Sequence, residues 1–308
     1  MKSLSARLLF MGVLLCGLRA HAVTLPPGYQ PQAPSPTVSV SVRTSGTPQA
    51  GVATVNDTQN STAHAPGAQS ISAPSSPGAA IPGSATADGV ILYGPSPSVS
   101  AHALAQHTAL TPPGIQQAPG LNYGYNDAGA GIQLYYFMAI SGPGPSVSVN
   151  VNALLGASSS ANIYAASGTA GFYVQKQGGS YLLNDKVAFD TSAPYGNVNV
   201  TGDNVSGYLG QFVESGAYTF QTGSVYVIGL TARATATDYG SLTIPTGLQA
   251  ANAWVDPSFA IAATVPDAGS YQIFLSDGIG NAAPPVPEPP VWALLLGGVG
   301  CLVVRSRR

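Results

Sequence analysis

Only 7% of the 308 residues are charged, where an ordinary soluble domain carries about a quarter, while Gly and Pro number 37 and 26. Between Arg19 and Arg305 the only basic residues are Arg43, Lys176, Lys186 and Arg233, against eleven acidic ones running from Asp57 to Asp277. That middle region has no basic patch able to displace counterions from a phosphate backbone, which excludes a nucleic-acid partner.

In chain order, Lys2 and Arg7 precede the apolar run Leu8–Leu18, about eleven residues and too short for a stable membrane span. Ala20-His21-Ala22 then places small residues at the −3 and −1 positions of a cleavage site. Residues 1–22 are therefore expected to be a signal peptide removed by signal peptidase, and the chain to be exported. The competing reading is acylation of Cys16, but Leu15 stands before it where a lipobox wants Gly, Ala or Ser.

Residues 23–87 are dominated by Pro, Ser, Ala, Thr, Gly and Gln, with Tyr29 as the aromatic. Such a composition buries little apolar area against its chain entropy, so a disordered leader is expected. Within it, Thr37-Val38-Ser39-Val40-Ser41-Val42 alternates with period two, as a strand would.

Residues 88–282 change texture. Ile132–Ile140, Val147–Val151, Ile163–Ala166, Phe172–Gln175, Ala217–Phe220, Ser224–Val227, Thr231–Thr235, Phe259–Thr264 and Tyr271–Ser276 read as strands. They are punctuated by turn signals such as Gly142-Pro143-Gly144-Pro145 and Pro266-Asp267-Ala268-Gly269. No amphipathic helix is evident. The expected fold is all-β, an antiparallel β-sandwich with a jelly-roll-like arrangement.

The chemistry available to this region is limited. The two cysteines, Cys16 and Cys301, lie in the terminal apolar segments, leaving no disulfide or thiol nucleophile between them. His64, His102 and His107 lie in or near the leader, and residues 120–285 contain no His, which removes Ser-His-Asp catalysis and a His/Cys zinc site there. Carboxylate pairs for glycoside hydrolysis (Asp185 with Asp190, or Asp203 with Glu214) sit in turn-like contexts. Asn126-Asp127, Asp203-Asn204 and Asp277-Gly278 to Asn281 offer oxygen ligands to calcium, but turns demand the same residues. No catalytic residue, metal or cofactor is expected. Tyr123, Tyr125, Tyr135, Tyr136, Tyr195, Tyr208 and Trp254 could furnish a carbohydrate-binding face if several lay coplanar and exposed on one sheet.

The C-terminus has three ordered parts. Val286-Pro287-Glu288-Pro289 is held extended by its prolines. Val291–Val304 is apolar on every face, about fourteen residues or roughly 21 Å as a helix. Arg305, Arg307 and Arg308 close the chain. That helix is short against a ~30 Å hydrocarbon layer, but Trp292 at one interface and snorkelling arginines at the other would let it span.

Residues 286–308 resemble the PEP-CTERM sorting signal of Gram-negative bacteria: the motif Val286, Pro287, Glu288, Pro289, then Trp292 with Leu294, Leu295 and Leu296 as the membrane anchor, then Arg305, Arg307 and Arg308. Pro290 and Ser306 depart from the usual pattern. The strand-rich region is similar in texture to β-domains that precede this signal, through Leu134-Tyr135-Tyr136-Phe137, Val255-Asp256-Pro257 and Tyr271–Ser276 before Asn281. The resemblance implies recognition by an exosortase, transient anchoring in the inner membrane, and release to the cell surface or extracellular matrix. It further implies a non-catalytic structural role in an exopolysaccharide or biofilm layer. A carbohydrate-binding module and a hydrolase are the alternatives.

Overall fold

A computed structural model describes residues 32–46, 55–74, 83–94, 96–108, 123–161, 165–191, 197–201, 210–241 and 246–281. The expected signal peptide, its cleavage residues Ala20 and Ala22, and the whole segment 286–308 lie outside the described residues. Among those described, no helix is long and apolar enough to cross a membrane.

Fourteen strands account for nearly all of the described chain. They are β1 (Ser35–Gly46), β2 (Val55–Ala63), β3 (Gly67–Pro74), β4 (Gly83–Leu92), β5 (Ser98–Thr108), β6 (Tyr123–Ser141) and β7 (Ser146–Ala161), followed by β8 (Ala165–Lys176), β9 (Tyr181–Asp190), β10 (Asn197–Thr201), β11 (Gln211–Gln221), β12 (Val225–Ser241), β13 (Thr246–Ile261) and β14 (Gln272–Leu275). Every pairing is antiparallel. The larger sheet has eight strands in the order β10-β9-β8-β12-β6-β1-β2, with β14 on β6, and the smaller has six in the order β11-β7-β13-β5-β4-β3. The sheets pack face to face around one continuous hydrophobic core, which makes an antiparallel β-sandwich.

The period-two alternation explains which face each strand buries. On β8 the even positions Ala166, Ala170, Phe172 and Val174 are buried, and on β12 Tyr226, Ile228, Leu230, Ala232, Ala234 and Ala236 are buried. The odd positions Val227, Thr231, Arg233, Thr235 and Thr237 face outward.

The N-terminal region differs from the expectation. Within residues 23–87, expected to be a disordered leader, the described residues from Ser35 onward form β1, β2, β3 and the first half of β4, and β1 to β4 contribute two strands to each sheet. Val38, Val40 and Val42 on β1 and Ala85 and Ala87 on β4 are fully buried. The composition misleads because alternating Ser/Val and Thr/Ala strands look like low complexity. They nevertheless meet the single requirement of a two-layer sandwich, one apolar face.

β13 contains Pro257, which lacks an N–H for a ladder. It lies beyond Val255, where pairing with β5 ends at Val99, so no bond is lost on that side. Past this point the Asn281 side chain stands in for a neighbouring strand. Its Nδ2 donates to the Phe259 carbonyl at 2.8 Å, and its Oδ1 accepts from the Phe259 N–H at 2.9 Å.

Candidate functional site

A trough of about 800 Å³ crosses the outer face of the larger sheet. Its floor is Gly129 and Gly131 on the central strand β6, where missing side chains lower the surface between taller neighbours. Register sets the walls: Ser41 on β1 and Thr235 on β12 flank Gly129, and Ser39 and Arg233 flank Gly131. Thr169 continues the second row on β8, and Lys186 reaches the trough from β9, opposite Gly171. A Cβ added to Gly131 would meet nothing within 4 Å, so the trough is open down to the backbone there.

The two ends differ. At one, Tyr135 and Tyr173 lie with ring centroids 6.1 Å apart and tilted by 42°, and Tyr181 meets Tyr173 edge-on at 5.4 Å. Burial, and then the neighbouring Tyr135 and Tyr181, push the Tyr173 phenol up to about 12, so it remains a hydrogen-bond donor at any ordinary pH. At the other end Asp127 accepts a hydrogen bond from the Thr237 hydroxyl at 3.0 Å, and the Arg43 guanidinium lies 5.2 Å from the centre of the Tyr125 ring. Arg233 and Lys186 are exposed. Among the described residues, neither forms an ion pair.

A second polar cluster is buried between the sheets. Thr44, Asn126 and Asp238 form one in-register row across β1, β6 and β12. His107 on β5, in the opposite sheet, places Nδ1 2.5 Å from Asp238 Oδ2, with both side chains fully buried. Gln249 Nε2 donates to Asp238 Oδ1 at 3.1 Å, and Asn126 Nδ2 donates to the Gln106 carbonyl at 3.2 Å. The group joins the two layers and is sealed from a dissolved substrate. Of the histidines expected in or near the leader, His102 and His107 are therefore strand residues with carboxylate partners, His102 pairing with Asp88 at 3.0 Å on the outer face of the smaller sheet, whereas His64 lies in the bend between β2 and β3 with its Nδ1 3.3 Å from the Thr37 hydroxyl oxygen. Sequence distance hid the His107–Asp238 pair, whose members are 131 positions apart.

The other sequence candidates are scattered. Asp185 is buried on β9, whereas Asp190, five residues on, belongs to the opposite face of that strand. Glu214 is buried on β11 and accepts a hydrogen bond from Tyr218 Oη at 2.6 Å; Asp203, its suggested partner, lies outside the described residues. Asn126 and Asp127 face opposite sides of the sheet, and no group of three His, Cys, Asp or Glu side chains suited to a metal occurs among the described residues. Of the proposed aromatic face, Tyr136 is fully buried, and Trp254 covers Gly156 on the smaller sheet. Tyr195 and Tyr208 lie outside the described residues. Tyr135 does cluster with others, but with Tyr173 and Tyr181, and the rings are tilted and edge-on rather than coplanar. The trough is the feature that sequence reading missed. Its only linear signal is the run of small and polar residues sharing parity on Asp127, Gly129, Gly131 and Gln133.

No family model matches the chain, and no curated protein or solved structure is significantly similar to it.

Proposed function

We propose that this is an exported, non-catalytic protein that an exosortase sorts to the cell surface or extracellular matrix. Its sandwich, read as jelly-roll-like, serves there as a structural component of an exopolysaccharide layer. The observation that carries the reading is the order of three elements at the C-terminus: the proline-bounded Val286-Pro287-Glu288-Pro289, the charge-free run Val291–Val304 and the arginines Arg305, Arg307 and Arg308. An enzyme that reads a linear motif needs it extended and tethered beside the membrane, and these elements supply both conditions. The signal-peptide pattern ending in Ala20-His21-Ala22 supports export by the same chain.

A second reading, carbohydrate binding at the surface, is favoured by the trough. A glycine-floored groove walled by Ser39, Thr169, Thr235 and Arg233 presents the mixed donors and acceptors that sugar hydroxyls require. Protease shaving of intact cells tests the sorting reading. The sandwich should be accessible on wild-type cells and protected in a strain lacking the exosortase; equal protection in both would refute surface display.

A further inference from the structure

We propose that the trough on the outer face of the larger sheet binds a carboxylate-bearing polysaccharide, with Arg233 and Lys186 as the groups that grip its charges. The proposal rests on the carbohydrate-binding reading and gives it a ligand class and two specificity-determining residues.

Charge carries the argument. The chain between its terminal signals is acidic, and only four basic side chains occur between Arg19 and Arg305. Two of those four, Arg233 and Lys186, line the same trough. Neither forms an ion pair among the described residues, so both charges remain available to a ligand. A groove for neutral sugars gains nothing from two uncompensated cations, whereas an anionic chain is drawn to them against the background of the protein.

Geometry then selects the kind of anion. Arg233 stands beside Gly131 on β6 and opposite Thr169 on β8, so its planar guanidinium can meet a carboxylate with two parallel hydrogen bonds over an unobstructed floor. Lys186 is two strands away and two residues along, in register with Gly171 rather than Thr169. Strand spacing and rise put the two Cα atoms roughly 12 Å apart, too far to clasp one carboxylate and suited to successive charges on an extended polymer. The Ser39 and Thr169 hydroxyls between and beside them bond sugar hydroxyls, and Asp127 repels a polyanion from the far end of the groove.

The test uses the full chain purified in detergent, titrated against polygalacturonate and alginate and against their methyl-esterified, uncharged forms. The expected result is binding to at least one acidic polymer, weakened at high salt and lost on esterification. Arg233→Gln should weaken it roughly ten-fold and Lys186→Gln by less. Gly131→Leu, whose side chain would project into open space, should abolish binding while leaving thermal stability unchanged. Three results would overturn the proposal: equal binding of acid and ester that Arg233→Gln leaves intact, binding that survives Gly131→Leu, or self-association that the trough variants abolish in place of glycan binding. The first of these refutes only the charge assignment and leaves the carbohydrate reading standing. Failure to bind any of the four polymers overturns both.

Discussion

The two halves of the sandwich interior are built from different materials. One half is filled by Tyr136, Met138, Phe172, Phe220, Tyr226 and Phe259, with Phe220 edge-on to Tyr226 at 4.8 Å and Phe172 6.3 Å from Phe259. The other is lined by Ala101, Ala103, Ala105, Ala128, Ala130, Ala232, Ala234, Ala236, Ala251 and Ala253. The change occurs within single strands, as on β12 between Leu230 and Ala232. In the alanine half the layers close until backbone meets backbone. A Cβ on Gly168 would sit 2.4 Å from the Asn252 carbonyl oxygen and 3.1 Å from that of Ser158. Interior packing is dense wherever it forms, so layer separation follows side-chain volume. This lets strands poor in large residues, such as β4 and β5, belong to a core. At its end the alanine half closes with hydrogen bonds rather than bulk, through Thr44, Asn126, Asp238, His107 and Gln249.

The contrast predicts opposite sensitivities. The largest effect belongs to the polar closure: Asp238→Ala removes one partner of a buried pair and should cost roughly 3–5 kcal/mol by denaturant unfolding. An effect below 1 kcal/mol would mean that the cluster does not tie the sheets together. Next, the aromatic half should suffer from lost volume. Phe172→Ala is expected to cost about 3–5 kcal/mol, with cavity formation. The alanine half should suffer from added volume instead, Ala103→Leu costing about 1–3 kcal/mol through overpacking. Similar tolerance of Ala103→Leu and Ala103→Gly would show that the layers are free to separate and would remove the distinction.

The smallest effect concerns Tyr136. Its buried hydroxyl has no hydrogen-bond partner among the described residues. Burial, and then the Asp256 carboxylate, raise its ionisation well above the ordinary tyrosine value. Tyr136→Phe should thus be neutral or stabilising by about 1 kcal/mol at pH 7. Because the folded phenols of Tyr136 and Tyr173 hold their protons more tightly than the unfolded chain, their contribution is complete below about pH 10. It is lost as pH rises through the Tyr173 value of about 12. Melting temperature should fall across that window in the parent and fall less in Tyr136→Phe; identical alkaline profiles would contradict this.

The aromatic half was the legible part of the fold. Strands such as Val147–Val151 and Ala217–Phe220 combine alternation with large apolar residues, and both signals point the same way. The alanine half gave only the alternation. Thr37–Val42 showed it, but Ala85, Ala87, Ala101, Ala103 and Ala105 carried no bulk to distinguish a core face from a flexible segment. The candidate site was less legible still. The trough depends on the register that sets Arg233 beside Gly131 and Lys186 beside Gly171, and although β8 and β9 are consecutive, the pairing of β12 with β6 across about a hundred residues leaves no mark in a linear sequence. The approach of Tyr135 to Tyr173 was missed because it is set by β12 between them, where Gly229 is in register with both. The proposed sorting motif Val286-Pro287-Glu288-Pro289, by contrast, is contiguous, so its pattern is legible without any knowledge of the fold.

The proposed fate of the chain is tested most directly by the intact mass of the protein recovered outside the producing cells, with and without the exosortase. The account predicts a C-terminus near Pro287-Glu288-Pro289 and an N-terminus at Val23, the former only when exosortase is present. A mass that retains Val291–Arg308 in both strains would make that segment a permanent anchor and would contradict release to the matrix.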